Sequence, residues 1–243
     1  MRIYANTDIG MVRKMNQDAF YISEEKDSYK LCILADGMGG YTGGEIASRL
    51  ACKAAAQHIL SNFDETKQYT KEGIMDIIKD AMSYANEIVY EKSRQEKELE
   101  QMGTTLEICL IYNNKVYIGH IGDSRIYKIK QDIMKKVTVD HSYVQKLIRD
   151  GKITKEQAIN HPKKNMLMKA LGCEEEIEPD FIVESFGPGE IILICSDGLT
   201  NMIAEQEIYN IIINNTETAS DNLIKKAKEL GGTDNITVII IEN

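Results

Sequence analysis

The hydrophobic and polar positions at the start of the chain predict two strands followed by two long helices. Residues 18–23 and 29–35 have the apolar and aromatic side chains typical of strands, and the second run ends at the turn-prone sequence Asp36-Gly37-Met38-Gly39-Gly40. Apolar residues then recur at helical spacing over residues 44–63 and 72–99. A glycine-rich loop is therefore predicted between the second strand and the first helix.

Beyond residue 104 the pattern changes to closely spaced short strands. We predict strands at residues 106–112, 115–121, 125–130, 136–139, 181–184, 190–195 and 236–241. Asn113-Asn114 is a tight turn between the first two, residues 143–171 are a polar, weakly helical insertion, and residues 205–230 are helical. Because strands are grouped with strands and helices with helices, we predict an α+β fold of antiparallel sheets covered by helices, rather than a doubly wound parallel sheet.

The composition favours one domain. The chain has 243 residues, of which 43% are hydrophobic and only three are proline, and this suits a single core over residues 1–243. The net charge of -9 and the lack of a lysine or arginine cluster argue against a nucleic-acid partner. The same charge repels anionic substrates at long range, so phosphate chemistry would need local positive charge, which bound divalent cations would supply.

The cysteines and the amino terminus indicate a cellular compartment. None of the five cysteines forms a CxxC pair, and three of them lie in apolar runs where a free thiol packs as a small hydrophobe. The amino terminus lacks the apolar stretch of a signal peptide, and no segment approaches the roughly 20 apolar residues that span a bilayer. We therefore expect a monomeric cytoplasmic protein without a membrane segment.

Four aspartates lie at predicted strand ends, most of them beside glycine: Asp36, Asp123, Asp197 and Asp234. Taken singly, each is better explained as a hairpin or capping residue, because Asp-Gly is a common turn dipeptide. Together, however, carboxylates on rigid strand ends can converge at one end of a sheet, where they would repel one another unless a cation lay between them. Since no histidine or cysteine stands at ligand spacing, the cation should be Mg²⁺ or Mn²⁺ rather than Zn²⁺.

Gly37 and Arg13 would complete such a site. A glycine directly after Asp36 lets a backbone carbonyl approach an ion closely. Two ions about 3.5–4 Å apart could share a water, lower its pKa and hold a phosphoryl group for in-line attack, which predicts hydrolysis without a covalent enzyme intermediate. Arg13 stands five residues before Asp18 and could bind two phosphate oxygens, although an arginine near the amino terminus is usually a surface residue.

Other phosphoryl-transfer chemistries lack their motifs in this sequence. No arginine stands six residues after a cysteine, as a cysteine-nucleophile phosphatase requires, and there is no GxxxxGK[ST] loop or set of kinase motifs. Calcineurin-like metallophosphatases need several histidine ligands, whereas the histidines of this chain are scattered. We interpret them as packing or surface residues: His58, His120, His141 and His161.

A series of motifs runs in a fixed order through essentially the whole chain. They are Thr7-Asp8-Ile9-Gly10, Val12-Arg13, Asn16-Gln17-Asp18, Ala35-Asp36-Gly37-Met38-Gly39-Gly40, Met102-Gly103-Thr104-Thr105, Gly119-His120-Ile121-Gly122-Asp123-Ser124-Arg125, Asp140-His141-Ser142, Cys195-Ser196-Asp197-Gly198-Leu199 and Gly231-Gly232-Thr233-Asp234-Asn235-Ile236-Thr237. In this order they resemble the metal-dependent protein serine/threonine phosphatases of the 2C type (PPM), in particular the compact bacterial members. The resemblance implies an αββα sandwich of two antiparallel sheets, with the metal site at one end.

The resemblance also implies a role for each core residue. Asp36 would bridge two Mg²⁺ or Mn²⁺ ions, and the carbonyl oxygen of Gly37 would bind one of them. Asp197 and Asp234 would complete the ligands of the pair, so that Asp36 and Asp234 lie at the catalytic centre.

Three further residues and one segment acquire roles in the same way. Asp18 would act through metal-bound water, and Asp123, with Asp197 shared, would hold a third and weaker metal. Arg13 would bind the substrate phosphate. Residues 143–165 stand where the relatives carry a variable flap beside the active site, which would affect substrate selection, although an ordinary surface insertion explains the segment nearly as well.

Two departures from the family pattern matter. Some members have a histidine directly after the Asp-Gly pair, proposed as the general acid for the leaving alcohol, whereas this chain has Met38 there. General-acid help must then come from metal-bound water or from elsewhere, or be weak. Relatives often have Thr-Arg before Ala-Leu-Gly, whereas Met168-Lys169 precede Ala170-Leu171-Gly172 here, so this stretch offers a lysine in place of the arginine.

The leading hypothesis from the sequence is an enzyme that hydrolyses phosphoserine and phosphothreonine in proteins. By resemblance to bacterial members, its partners would be phosphoprotein substrates and the serine/threonine kinase that it opposes. The second hypothesis is a catalytically silent phosphoprotein-binding module. It is disfavoured because no expected metal ligand is missing from the sequence.

Overall fold

Two antiparallel sheets form the centre of the computed structural model, which describes residues 1–24 and 29–243. The strands are β1 (Arg2–Asp8), β2 (Asp18–Ile22), β3 (Lys30–Met38), β4 (Gly103–Thr104), β5 (Leu106–Tyr112), β6 (Lys115–Ile121), β7 (Arg125–Lys130), β8 (Ile133–Lys136), β9 (Asp180–Ser185), β10 (Ile191–Cys195) and β11 (Ile236–Glu242). One sheet has the strand order β1-β11-β10-β7-β8, and the other has the order β2-β3-β5-β6-β9, with β4 paired to β3.

Helices cover the outer face of each sheet. The helices of the described residues are α1 (Gly40–Asn62), α2 (Lys71–Gln95), α3 (Tyr143–Arg149), α4 (Lys155–Ile159), α5 (Asp197–Thr200), α6 (Glu205–Asn214) and α7 (Thr216–Glu229), with a 3-10 turn at Lys97–Leu99, and of these α3 and α4 lie outside the two helical layers. Helices α1 and α2 share one apolar core with the sheet that contains β3, and α6 and α7 share another with the sheet that contains β11. A third apolar layer lies between the sheets. The predicted αββα sandwich is therefore confirmed.

The side chains of the central strands explain why three apolar layers form. Along β3, Leu31 and Ile33 belong to the core under the helices, whereas Cys32 and Leu34 belong to the layer between the sheets. Successive side chains of a strand point to opposite faces, so a strand buried on both faces is apolar throughout. β11 follows the same rule, and six consecutive apolar or threonine residues inside it are fully buried.

Several element boundaries differ from those predicted. β3 continues through Asp36-Gly37-Met38 instead of stopping before it, because β4 pairs with this extension. The strand predicted at residues 136–139 lies instead at Ile133–Lys136, since the turn is made by Gln131 and Asp132, both with positive φ. The helix predicted at residues 205–230 is broken at Asn215, which is extended and caps α7 through its side chain.

Two further expectations concern membranes and cysteines. Among the described residues, no helix combines the length and the apolar character needed to cross a membrane. All five cysteines are free thiols, and four of them are buried while Cys173 is exposed.

Candidate active site

The two sheets bring four aspartates together at one end of the sandwich. In the second sheet, Asp18 on β2 stands directly opposite Asp36 on β3. In the first sheet, Asp197 follows β10 and Asp234 precedes β11, and these two strands are neighbours. One carboxylate oxygen of Asp18 accepts hydrogen bonds from Ser196 (2.8 Å) and Thr237 (2.6 Å), which join the two sheets at this end.

The pKa values of these carboxylates are raised, because the groups are desolvated and repel one another. Burial first, and then repulsion from the other aspartates, raises the pKa of Asp36 well above its usual value. Burial likewise raises the pKa of Asp18 to about 7 and that of Asp123 to about 8, with repulsion from Asp197 adding to both. The pKa of Asp197 rises to about 6, again through burial and then through repulsion from Asp234. All of these groups would be stabilised by a bound cation.

The chemistry of the donors fits a hard divalent cation. The Oδ1 atom of Asp18 is buried and has no hydrogen-bond partner among the described residues, and an unpaired buried oxygen is costly. The donors are oxygen atoms, which Mg²⁺ and Mn²⁺ prefer. The carboxylates do not form a closed shell, because in residues 1–24 and 29–243 no three acidic, histidine or cysteine side chains meet as metal ligands do.

The backbone around Asp36 is held rigidly. Its N–H donates to Thr105 Oγ1 (2.9 Å), and its carbonyl oxygen accepts from Thr104 Oγ1 and from the Thr105 N–H, both at 2.9 Å. Gly37 packs against the start of α1 so closely that a Cβ atom there would lie 2.0 Å from the carbonyl oxygen of Gly44. Glycine is required at both Gly37 and Gly44, because only residues without Cβ allow the strand and the helix to approach this closely.

Arg13 lies beside the aspartates on a loop that Asn235 fixes. Its guanidinium donates to Asp234 Oδ2 at 2.7 Å, and about half of the side chain is exposed. The side-chain amide of Asn235 donates to the carbonyl oxygens of Ile9 and Met15, each at 3.0 Å, and its Oδ1 accepts from the Gln17 N–H. The loop that carries Arg13 is thus anchored at both ends by the residue that follows Asp234.

Asp123 is positioned by His141, for which the sequence suggested no role in the site. The carbonyl oxygen of Gly122 accepts from the His141 N–H (2.7 Å), and the Gly122 N–H donates to His141 Nδ1 (3.2 Å). Because Nδ1 accepts a hydrogen bond, the neutral ring carries its proton on Nε2, which faces Asp180 at 3.4 Å. Two of the four histidines lie together in the fold, since the rings of His120 and His141 are 4.7 Å apart.

Three further residues support the site, although the sequence motifs that contain them indicated no function for them. Ser196, Thr237 and Asn235 all bond to site residues or to the loop that carries Arg13. The signal that could have revealed them is polarity inside an apolar run, since Ser196 and Thr237 are fully buried beside strands of isoleucine and valine.

A fully buried pair, His120 and Glu107, lies behind the site. His120 Nδ1 is 2.6 Å from Glu107 Oε1, and Nε2 is 3.0 Å from the carbonyl oxygen of Val139. Burial alone would lower the pKa of His120, but the attraction of Glu107 raises it to about 9. Burial raises the pKa of Glu107 to about 7 against the opposing attraction of His120.

This pair predicts a pH-dependent stability. A histidine pKa raised in the folded state stabilises the protein fully below about pH 6.5, its unfolded value, and that contribution is lost as the pH rises towards 9. We expect the free energy of unfolding to fall by up to about 3 kcal/mol across this window, and Glu107→Gln to remove the decrease. Urea unfolding of both proteins with Mg²⁺ present, which keeps the aspartates ionised, measures the difference. Parallel pH curves for the two proteins would contradict the prediction.

Comparisons with known proteins identify the family of this chain. The family described as protein phosphatase 2C matches residues 12–228. A serine/threonine phosphatase Stp of Listeria innocua is 38% identical over 97% of this chain and 93% of its own length.

Two solved structures are similar over nearly the whole chain. The S. agalactiae serine/threonine phosphatase has 34% identity and a TM-score of 0.90, over 100% of this chain and 99% of that one. The catalytic domain of the serine/threonine protein phosphatase PstP, in complex with two manganese ions, has 32% identity and a TM-score of 0.85, over 98% of this chain and 96% of that one.

Proposed function

The chain belongs to the protein phosphatase 2C family and is a metal-dependent protein serine/threonine phosphatase, and from this premise we propose how its residues carry out the reaction. Asp36, Asp197, Asp234 and the carbonyl oxygen of Gly37 hold two Mg²⁺ or Mn²⁺ ions. Asp18 acts through water, and Asp123 holds a third, weaker ion with Asp197 shared.

The observation that carries this proposal is the convergence of carboxylates from both sheets, one buried and the others partly buried, at one end of the sandwich. The two manganese ions of the similar PstP structure support the number of core ions. Two bound ions would supply a water that is nucleophilic at neutral pH and would neutralise charge on the phosphoryl group, which would allow hydrolysis without a covalent enzyme intermediate.

The protein's own contribution is orientation and binding. The three hydrogen bonds to the backbone of Asp36 fix its carboxylate, which limits reorganisation during the reaction. Arg13 binds the substrate phosphate through its half-exposed guanidinium. Within the described residues, only one of its N–H groups donates to Asp234, and the others can reach phosphate oxygens. The loop anchored by Asn235 therefore sets where the phosphate lies.

No histidine supplies the leaving-group proton in this proposal. Met38 stands where some relatives have histidine, and a thioether cannot act as an acid. His120 is fully buried with both ring nitrogens engaged, and His141 is engaged by Gly122 and Asp180. The acid limb of the pH–rate profile should therefore survive in both His120→Ala and His141→Ala.

Residues 1–243 act as a single catalytic domain in this proposal, with residues 143–165 as a flap beside the site. The substrates are phosphoproteins, and the enzyme opposes a bacterial serine/threonine kinase as a monomer. Its free cysteines support a reducing, cytoplasmic location.

Turnover of p-nitrophenyl phosphate and of a phosphothreonine peptide tests the function. We expect both to require Mn²⁺ or Mg²⁺ and to be abolished in Asp234→Ala, because the buried carboxylates need a cation to act together. Full activity in excess EDTA would overturn the proposal. Binding of the phosphopeptide without release of phosphate would favour the silent binding module instead.

A further inference from the structure

A cavity of about 640 Å³ separates the flap from the body of the protein. We call it the flap cavity. Asp123 and Asp197 line one end of it, and α4 and the segment after it supply Lys155 and Lys164 at the flap side. The cavity is thus continuous with the proposed metal site, so a peptide whose phosphate lies at the aspartates can extend into it.

The cations on the body side of the flap cavity are already paired, and its carboxylates are hydrogen-bonded or are proposed metal ligands. Asp140 accepts hydrogen bonds from Arg125 at 2.7 Å and from Lys136 at 3.0 Å. Glu205 accepts a hydrogen bond from the Tyr127 hydroxyl at 3.0 Å. Asp123 and Asp197 are the residues that bound cations would neutralise.

The two lysines on the flap side differ from these groups. In the described part of the chain, neither ammonium group makes a hydrogen bond or a salt bridge. Glu156 is the acidic neighbour of Lys155, but the two interact only weakly. The pKa of Glu156 is lowered mainly by a hydrogen bond from Thr154, and the attraction of Lys155 is the smallest of the causes. Lys155 and Lys164 are therefore available to an anion that enters the cavity.

The rest of the lining suits a peptide side chain. Val144, Ile148 and Ala158 of the flap, and Ile203 of the body, give the cavity an apolar wall. An acidic side chain can pack its methylene groups on such a wall while its charged end meets an ammonium group. Because the net charge of the chain is -9, recognition of an acidic substrate has to rely on such short-range cations rather than on the long-range field.

We propose that Lys155 and Lys164 select substrates with an anionic group close to the phosphorylated residue. The group is the carboxylate of a flanking aspartate or glutamate, or the phosphoryl group of a second phosphorylated residue. This inference rests on the proposed function, because it requires the substrate phosphate to lie at the aspartates.

Phosphothreonine peptides of equal length test the proposal. Their flanking residues are alanine, glutamate, phosphoserine or lysine, and p-nitrophenyl phosphate serves as a substrate without flanks. We expect kcat/KM to be about 5–30-fold higher for the anionic peptides than for the alanine peptide, the range expected for two exposed ion pairs of 0.5–1 kcal/mol each. The preference should weaken at high salt.

Three variants make the test specific. The Lys155→Glu/Lys164→Glu double variant should lose the preference for anionic peptides and favour the lysine peptide. It should keep its activity on p-nitrophenyl phosphate, because the two lysines are exposed and are not part of the catalytic site. Lys155→Ala/Lys164→Ala should remove the preference without reversing it. Lys146→Glu is the control: it makes the same kind of charge change on the flap, but outside the cavity. It should behave as the wild type.

The outcomes separate this inference from the proposed function. A wild-type protein that does not hydrolyse p-nitrophenyl phosphate would contradict the proposed function itself. Normal turnover of p-nitrophenyl phosphate, with no preference among the peptides or with a preference that persists in the double variants, would overturn the role of the lysines. A larger gain with glutamate than with phosphoserine identifies the carboxylate as the recognised group, and the reverse order identifies the phosphoryl group.

Discussion

Replacing Asp36 with asparagine is expected to abolish the phosphatase activity and, at the same time, to stabilise the metal-free protein. Asp36 is partly buried, and desolvation of its carboxylate, together with repulsion from the neighbouring aspartates, places its pKa well above the usual value. Asparagine keeps the shape and removes the charge. It therefore relieves the repulsion but offers the cations a much weaker ligand.

The expected sizes follow from these causes. Loss of a bridging ligand removes several kcal/mol of transition-state stabilisation, which corresponds to a fall in kcat/KM of about 1,000-fold or more. Relief of 1–2 kcal/mol of repulsion should raise the unfolding temperature of the metal-free protein by roughly 2–8 °C for a chain of this size. The carboxylate destabilises the folded state increasingly as the pH rises above its unfolded pKa, so the gain should grow from pH 4 towards neutrality.

Thermal unfolding with and without Mn²⁺ separates this account from a simple loss of structure. The wild type should be stabilised by Mn²⁺, and Asp36→Asn should gain much less from it. Asp80→Asn, on the exposed surface of α2, is the matched control and should leave both activity and metal stabilisation unchanged. An Asp36→Asn protein that is less stable without metal, or that is still active, would contradict the interpretation.

The sequence was sufficient to predict the fold class, because the three apolar layers appear in it as runs or periodic patterns of apolar residues. Strands such as β3 and β11 are apolar on both faces, and the two long helices have a clear helical period. β1 was not predicted, since its residues are only partly buried and it pairs with β11 from the other end of the chain. That pairing depends on tertiary structure and leaves no local pattern.

The aspartates of the site could be predicted because each stands at the end of an apolar run, where chain direction limits its position. The conformation of the Arg13 loop could not be predicted in the same way. It depends on Asn235, which lies more than 200 residues away and bonds to Ile9 and Met15. By contrast, the Glu107–His120 pair follows from the register of β5 and β6, which the predicted two-residue turn at Asn113-Asn114 sets.

Gly37→Ala is expected to have the second largest effect, and here activity and stability should both fall. The new Cβ atom would lie 2.0 Å from the carbonyl oxygen of Gly44 and 2.7 Å from that of Gln17. Both contacts are with backbone, so no side chain can rotate away, and the start of α1 or the end of β3 has to move. We expect a loss of about 3 kcal/mol or more in stability. Overpacking typically costs about 1–3 kcal/mol, and a site whose backbone cannot relax should lie at or above the upper end of this range.

Activity should fall by about 100-fold or more, because displacement of the Gly37 backbone also moves Asp36 and a shift of about 1 Å at a catalytic site has this effect. Gly44→Ala meets the same contact from the other side, with the Gly37 carbonyl at 2.8 Å from the added Cβ, and should give a smaller loss of the same kind. Gly187→Ala is the matched control, because nothing lies within 4 Å of a Cβ at that position. Urea unfolding and kcat/KM for the three variants measure the effect. Equal behaviour of Gly37→Ala and Gly187→Ala would show that the close approach of β3 and α1 does not position the site.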